Sequence, residues 1–123
     1  MRIITPGIPD KWYVHAVTRE NYPVLLKSVA RIFEYSSGFI HSKIFLADDS
    51  YGIVGTINLD FCSFYLHFEN GVWLYNTQSL LTLKDDFLNT IEKCKAIKLS
   101  DLNSMPIGSK VQGWLLRVFS PLL

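Results

Sequence analysis

The chain has 123 residues, the length of one domain, and 49% of them are hydrophobic, which is enough for a packed core. Its formal net charge of +1 argues against the general basic surface of a nucleic-acid-binding protein. The two cysteines, Cys62 and Cys94, show neither metal-ligand spacing nor a disulfide framework, so we expect free thiols. No apolar run approaches the ~18 residues that span a bilayer.

Short strands and helical segments alternate in the first part of the chain. Residues 2–5 predict a strand, and Asp10 is placed to cap a helix over residues 11–18. Pro23 suits the first turn of a second helical segment. Residues 31–35 alternate as a strand, and a Ser-Ser-Gly turn follows.

An antiparallel hairpin is predicted next. Residues 40–47 and 53–57 have the composition of strands, and the residues between them are turn formers. With a loop over residues 48–51, Ala47 pairs with Gly52.

Four polar side chains meet on one face of the hairpin in this register. His41 lies opposite Asn58 and Lys43 opposite Thr56, because alternate residues share a face and opposed residues lie about 5 Å apart. The amine, amide and hydroxyl supply charge and donors for a phosphate, and a neutral imidazole can attack phosphorus or move protons. A slip of one residue would move Thr56 and Asn58 to the other face, so this inference depends on the loop length.

The rest of the chain continues the alternation. Residues 60–68 are interpreted as a helical turn that leads to a strand over 69–75, and a helix with a period near 3.6 follows to about Cys94. Asp101 helps to cap a short turn, and residues 110–119 are predicted to form a last helix. Strands that alternate with helices indicate an α/β layered domain.

The stretch between residues 41 and 58 resembles the HKD motif of the phospholipase D superfamily, with no gap altered. The matching residues are His41, Lys43, Asp48, Gly55, Thr56 and Asn58. The C-terminal portion of bacterial cardiolipin synthases is similar to further segments: RIITPGIPDK at 2–11, FIHSKIF at 39–45, GTINLD at 55–60, YLHFENGVWLYN at 65–76 and RVFSPLL at 117–123. The resemblance covers nearly the whole chain and implies a mixed β-sheet flanked by helices on both faces.

The same resemblance implies a phosphatidyltransferase reaction. One phosphatidylglycerol is attacked at phosphorus, glycerol leaves, and a second phosphatidylglycerol accepts the phosphatidyl group. One histidine is expected to form a phosphohistidine, and the histidine of the other half to serve as acid and base. Lys43, Thr56 and Asn58 are expected to hold the phosphoryl oxygens together with His41. The scheme needs no metal and no cofactor.

Two carboxylates complete the catalytic set that the resemblance implies, beside His41 and Lys43. Glu69 is expected to accept a hydrogen bond from His41, which fixes the tautomer of the imidazole. Asp48 belongs to the motif but has the wrong parity to share the face of His41. A structural role in the turn, bonding turn N–H groups or a neighbouring lysine, is the better interpretation of Asp48, and Asp60 is similar.

Three further positions are secondary. His15 is expected to be a packed or surface histidine, and His67 to make a supporting polar contact at most, since it is close to Glu69 in the sequence. Cys62 stands where cardiolipin synthases commonly carry an arginine, which puts in doubt a salt bridge or a contact with a second lipid phosphate.

We therefore expect residues 1–123 to be a single phospholipase D-like domain with one HKD motif, a fragment of a two-motif enzyme. Its expected partners are phosphatidylglycerol, the N-terminal HKD half and a membrane surface. The parent enzyme is expected at a bacterial cell membrane, whereas the fragment itself is expected to be soluble and inactive alone, or to pair as a homodimer. Two alternatives stay open: a homodimeric phosphodiesterase or nuclease, and a non-catalytic domain that binds lipid headgroups or a partner.

Overall fold

The computed structural model describes residues 1–103, which form six strands and four helices. In chain order these are β1 Arg2–Pro6, α1 Trp12–Lys27, β2 Arg31–Tyr35, β3 Lys43–Ala47, β4 Tyr51–Gly55, α2 Phe61–Tyr65, β5 Gly71–Tyr75, α3 Gln78–Glu92, β6 Cys94–Ile97 and α4 Leu99–Asn103. The described residues divide into two compact units, of which the first comprises residues 1–40 and 93–103 and the second comprises residues 41–92. None of the helices within residues 1–103 is long and apolar enough to cross a bilayer.

The first unit is built on a mixed sheet with strand order β1-β2-β6. Strand β1 runs parallel to β2, whereas β6 runs antiparallel to it. The core forms where Ile32 of β2 and its cross-strand partner Ile97 meet Tyr22 of α1 and Leu102 of α4. These apolar side chains are withdrawn from water, which is the main stabilisation of the unit.

A polar cluster lies beside this core. Glu34 of β2 is only 8% exposed, and Arg19 of α1 places Nε 3.1 Å from its carboxylate. The hydroxyls of Tyr22 and Thr5 are hydrogen-bonded at 2.8 Å, and burial raises the pKa of Tyr22 to about 12. A buried charge needs such a partner, because a lone carboxylate would lose its hydration without compensation.

His15 makes the stability of this first unit dependent on pH. Burial, and then the charge of Arg19, lowers the pKa of His15 below its ordinary value of 6.5, against the opposing effects of Glu34 and of the backbone of Pro6. The unfolded chain therefore binds a proton at a pH at which the folded chain does not. This contribution to stability is complete above about pH 6.5 and is lost as the pH falls toward the pKa of folded His15.

We expect His15→Gln to reduce the loss of unfolding free energy between pH 7.5 and pH 5.0, because glutamine takes up no proton there. The measurement is urea denaturation at both pH values, with His67→Gln, an exposed histidine of the second unit, as the control. An unchanged pH dependence in His15→Gln would show that other groups cause it.

The second unit is built on an antiparallel sheet with strand order β3-β4-β5. Helix α3 lies against one face of this sheet, where Leu80 is 2% exposed and close to Gly52 and Leu46. A Cβ atom on Gly52 would lie 2.5 Å from Leu80 Cδ2, so this glycine allows the helix to approach the sheet. The ion pair between Lys84 and Asp49, 2.6 Å long, joins the same helix to the β3–β4 turn.

The predicted hairpin register is wrong by one residue. Ala47 pairs with Tyr51, so the loop holds three residues instead of four, and Lys43 lies opposite Gly55. Asp48 and Asp49 have φ angles of 52° and 56°, in the left-handed region that aspartate tolerates better than most residues. Two successive left-handed residues close the turn early, and β4 consequently begins at Tyr51, two residues before the predicted start.

Other boundaries also differ from the sequence prediction. Helix α1 is continuous through Pro23, and its N-cap is Lys11 instead of Asp10, with no side-chain cap bond. Helix α3 ends at Glu92, before its predicted end near Cys94. The chain then forms β6, a strand that the sequence analysis did not predict. The α/β class is confirmed, with one mixed and one antiparallel sheet. The predicted helix at 110–119 lies outside the described residues.

Candidate active site

Five residues of the second unit line a cavity of about 160 Å³. They are His41, Lys43, Gly55, Thr56 and Asn58. The structure thus brings together the four polar side chains that the sequence grouped, although the register used to group them is wrong. The reason is that β3 begins at Lys43 and β4 ends at Gly55, so His41, Thr56 and Asn58 lie outside the paired strands. Strand parity therefore does not decide their directions.

Lys43 places its amine at the cavity. Its Nζ donates a hydrogen bond to the main-chain oxygen of His41 at 2.7 Å, which leaves further N–H donors on the ammonium group. Desolvation lowers the pKa of Lys43, and the carboxylates of Glu69 and Asp60 oppose this effect. The two carboxylates therefore favour the charged ammonium beside the cavity.

The Glu69 carboxylate is held by the hydroxyl of Thr56. Its Oε2 accepts a short hydrogen bond from Thr56 Oγ1. This bond lowers the pKa of Glu69 most, and the nearby hydroxyl of Ser63 and then the charges of His67 and Lys43 lower it further, against the opposing effect of desolvation. Glu69 is thus favoured as a carboxylate, the form that can orient an imidazole or stabilise an imidazolium. The hydrogen bond from His41 to Glu69 stays a prediction.

The hydroxyl of Thr56 is bonded to Glu69, and its expected contact with a phosphoryl oxygen stays a prediction. A threonine hydroxyl carries one proton, and here that proton is directed to Glu69. Its oxygen accepts the N–H of Asn70 at 3.0 Å, and the N–H of Thr56 itself bonds the main-chain oxygen of Asn70 at 2.9 Å. In this arrangement the hydroxyl supports the carboxylate, and Lys43 and Asn58 have N–H protons to offer a phosphoryl oxygen.

Asp48 lies in the β3–β4 turn and is not among the residues that line the cavity. Its main-chain oxygen accepts the hydroxyl of Ser50 at 3.0 Å, and the neighbouring Asp49, not Asp48, bonds Lys84. A catalytic role for Asp48 stays a prediction, and its position favours the structural role that its parity indicated. Asp60 has a structural role of this kind, because its carboxylate caps α2 by accepting the N–H of Ser63 at 2.7 Å.

Sequence reasoning did not identify two residues near the cavity, Ser63 and Gly71. Ser63 is 8% exposed, and its hydroxyl accepts the main-chain N–H of Asn58 at 3.2 Å. The spacing of Asp60 and Ser63 is typical of a helix N-terminus, and this pattern in the sequence could have identified Ser63. Gly71 lies opposite Gly55 in the β4–β5 ladder, and a Cβ on Gly55 would overlap the main-chain oxygen of Asn70. Within residues 1–103, no group of three or more histidine, cysteine or acidic side chains is arranged to hold a metal ion.

The two units and this cavity define a phospholipase D-like α/β domain, and comparison with known proteins agrees. The family model described as "Cardiolipin synthase, PLD-like domain" matches residues 1–91. The chain therefore belongs to the PLD-like domain family of cardiolipin synthases.

Curated relatives align along all 123 residues of the chain. An uncharacterized protein of Streptococcus mutans is 40% identical, a cardiolipin synthase of Geobacillus sp. 38%, and cardiolipin synthase 2 of Bacillus anthracis 34%. The chain covers 27% of the Streptococcus mutans protein and 24% of each of the other two. It thus spans about a quarter of the length of these relatives.

Proposed function

We propose that residues 1–123 supply one catalytic half of a phosphatidyltransferase that makes cardiolipin from two molecules of phosphatidylglycerol. The observation that carries the proposal is the convergence of His41, Lys43 and Asn58 on one cavity, with the Glu69 carboxylate held nearby by Thr56. A base or nucleophile, a cation and an amide donor are what a phosphodiester needs when charge develops on its oxygens. The relatives named cardiolipin synthase support this reaction class.

The proposed reaction has two displacements at phosphorus. An imidazole nitrogen of one HKD histidine attacks the first phosphatidylglycerol, the bond from phosphorus to the glycerol oxygen breaks, and the histidine of the other half protonates the leaving glycerol. A hydroxyl of the second phosphatidylglycerol then gives its proton back to that histidine and attacks the phosphohistidine, which releases cardiolipin and regenerates the free imidazole. Lys43 and Asn58 stabilise the phosphoryl oxygens in both steps.

The size of the cavity fits this use. At about 160 Å³ it is smaller than the roughly 300–1,000 Å³ of sites that enclose a drug-sized ligand. It suits the phosphodiester of a lipid, with the acyl chains outside it. We therefore place the parent enzyme at the cell membrane, where both substrates are found, with the membrane surface as a partner.

One HKD histidine is insufficient for the proposed chemistry. The nucleophile and the acid act on opposite sides of phosphorus, so the chain needs the N-terminal HKD half of its parent protein as a partner. We propose that residues 1–123 act as a single functional domain and that the isolated chain turns over no phosphatidylglycerol. Two copies that pair about a two-fold axis would bring together two His41 side chains and regain slight activity.

The test is product analysis with the full-length parent protein and phosphatidylglycerol vesicles. We expect cardiolipin and glycerol in a one-to-one ratio, and no turnover by the monomeric 123-residue chain. The matched control is the same vesicle preparation without protein. Phosphatidic acid as the main product would instead indicate a phosphodiesterase, and robust turnover by the monomeric chain would contradict the two-half scheme.

A further inference from the structure

Residues 59–68 of the second unit expose six large apolar side chains to solvent. Phe68 is fully exposed, at 107% of its reference accessible surface. Both ends of the segment lie at the candidate active site, because Asn58 and Thr56 line the cavity and Glu69 is hydrogen-bonded to Thr56. The six side chains are called here the apolar loop surface: Leu59, Phe61, Phe64, Tyr65, Leu66 and Phe68.

The apolar loop surface has almost no charge beside it. Asp60 is the only one of residues 59–68 with a formal charge at neutral pH, and its carboxylate accepts the N–H of Ser63 at the start of α2. The segment contains no lysine or arginine for an anionic headgroup. Large exposed apolar side chains without such cations favour contact with hydrocarbon, and an exposed apolar patch of this kind marks a protein or membrane contact.

The main chain of the segment is suited to surroundings that exclude water. The main-chain oxygen of Asp60 accepts the N–H of Phe64 at 3.3 Å, and that of Cys62 accepts the N–H groups of Leu66 and His67, each at 2.9 Å. These donors are therefore satisfied within the segment. An N–H group without a partner would oppose the transfer of the segment out of water.

The position of the apolar loop surface matches that of lipid acyl chains. The cavity of about 160 Å³ is large enough for a phosphodiester but not for the chains attached to it, so these chains must lie beside the cavity. A bilayer accepts a protruding ring such as that of Phe68 without a matching socket, whereas a protein partner requires shape complementarity. Hydrocarbon is consequently the occupant that the surface fits best.

We propose that the apolar loop surface enters the hydrocarbon region of a phospholipid bilayer and so holds the cavity at the level of the lipid phosphates. This assignment rests on the proposed function, because that function supplies the lipid whose phosphodiester occupies the cavity. The side chains contact acyl chains instead of headgroups, so binding depends little on lipid charge. The N-terminal half of the parent protein is the other occupant that could cover an apolar surface, and the experiments distinguish the two.

The first experiment measures co-sedimentation of the 123-residue chain with vesicles of phosphatidylcholine and of phosphatidylglycerol, at low and at high salt. We expect binding to both lipids, with a partition coefficient that changes less than about threefold with salt, because contact with hydrocarbon is not screened. Binding that requires phosphatidylglycerol, or that is lost at high salt, would show electrostatic attachment and overturn the proposal.

The same measurement is made with Phe64→Ser/Phe68→Ser, for which we expect the partition coefficient to fall about tenfold or more. Val24→Ser/Val29→Ser is the matched control, since these side chains of the first unit are 66% and 87% exposed, against 58% and 107% for the phenylalanines. Phe68→Ser alone serves if the double variant does not fold, because its side chain has little packing to lose. Wild-type binding in the folded phenylalanine variant, or an equal loss in the control, would overturn the proposal.

The second experiment locates the contact in both the 123-residue chain and the full-length parent. 4-Fluorophenylalanine is placed at Phe68, and at Phe33 of β2 as the control, and vesicles that contain doxyl-labelled phosphatidylcholine are added. We expect the ¹⁹F signal of position 68 to broaden in both proteins and that of position 33 to stay sharp. Broadening at position 68 in the isolated chain but not in the parent would show that the other half covers this surface, and would overturn the proposal.

Neither experiment depends on turnover, so the two failures are distinguishable. A parent whose position 68 contacts lipid but which forms no cardiolipin would contradict the proposed function and support the membrane contact. A parent that forms cardiolipin without broadening at position 68 would support the proposed function and overturn the membrane contact.

Discussion

Replacing His41 with asparagine in the full-length parent protein is expected to lower cardiolipin formation by about 10³-fold or more. Asparagine is polar and smaller than histidine, so the cavity between Lys43 and Asn58 stays open to the substrate. Its amide, however, neither attacks phosphorus nor transfers protons near neutral pH. The loss is therefore expected whether His41 is the nucleophile or the acid and base of the reaction.

The measurement is the initial rate of cardiolipin formation from phosphatidylglycerol vesicles, with lipid binding measured in parallel. His67→Asn is the matched control, because His67 is exposed and does not line the cavity. We expect this control to stay within about threefold of the wild-type rate, in keeping with an exposed position. A rate close to wild type in His41→Asn, or an equal loss in His67→Asn, would show that the reacting histidine was assigned to the wrong residue.

The second large effect is expected on stability. Gly55→Ala should lower the free energy of unfolding of the second unit by about 2–3 kcal/mol. The new methyl group would overlap the main-chain oxygen of Asn70 and lie 2.8 Å from the Cα of Gly71. Both obstacles are backbone atoms of the adjacent segment, so no side-chain rotation relieves the overlap. The β4–β5 ladder must open at the end that adjoins the cavity.

The measurement is urea denaturation of the 123-residue chain, with Gly38→Ala as the control. A Cβ on Gly38 would meet only Tyr35 side-chain atoms at 3.8 and 3.9 Å, which is ordinary van der Waals contact. Neither glycine has a positive φ angle, so backbone conformation does not separate the two substitutions. If both variants unfold at the same urea concentration as the wild type, the close approach of Gly55 to Asn70 is not a constraint on this unit.

Much of the candidate site was predictable because its residues are close in the sequence. His41 and Lys43 flank the start of one strand, and Thr56 and Asn58 follow the end of its neighbour. Any hairpin that joins these two strands brings the four residues to the same end of the sheet. The grouping therefore survives an error of one residue in the loop, although the argument from strand parity does not. Strand β2 and helix α3 were predictable for the same reason. The spacing of apolar residues along a short segment indicates which of its side chains face a core.

The sequence by itself determined the α/β class, the family and the set of polar residues at the cavity. Tertiary structure decided the three-residue turn at Asp48 and Asp49, the strand β6, and the hydrogen-bond partners of the hydroxyls of Thr56 and Ser63. The physical reason is the range of the interactions. Periodicity and spacing are local properties of a chain, whereas a hydroxyl donates to whichever acceptor the fold places beside it. For Thr56 that acceptor is Glu69, 13 residues further along the chain, and only the folded chain brings the two side chains together.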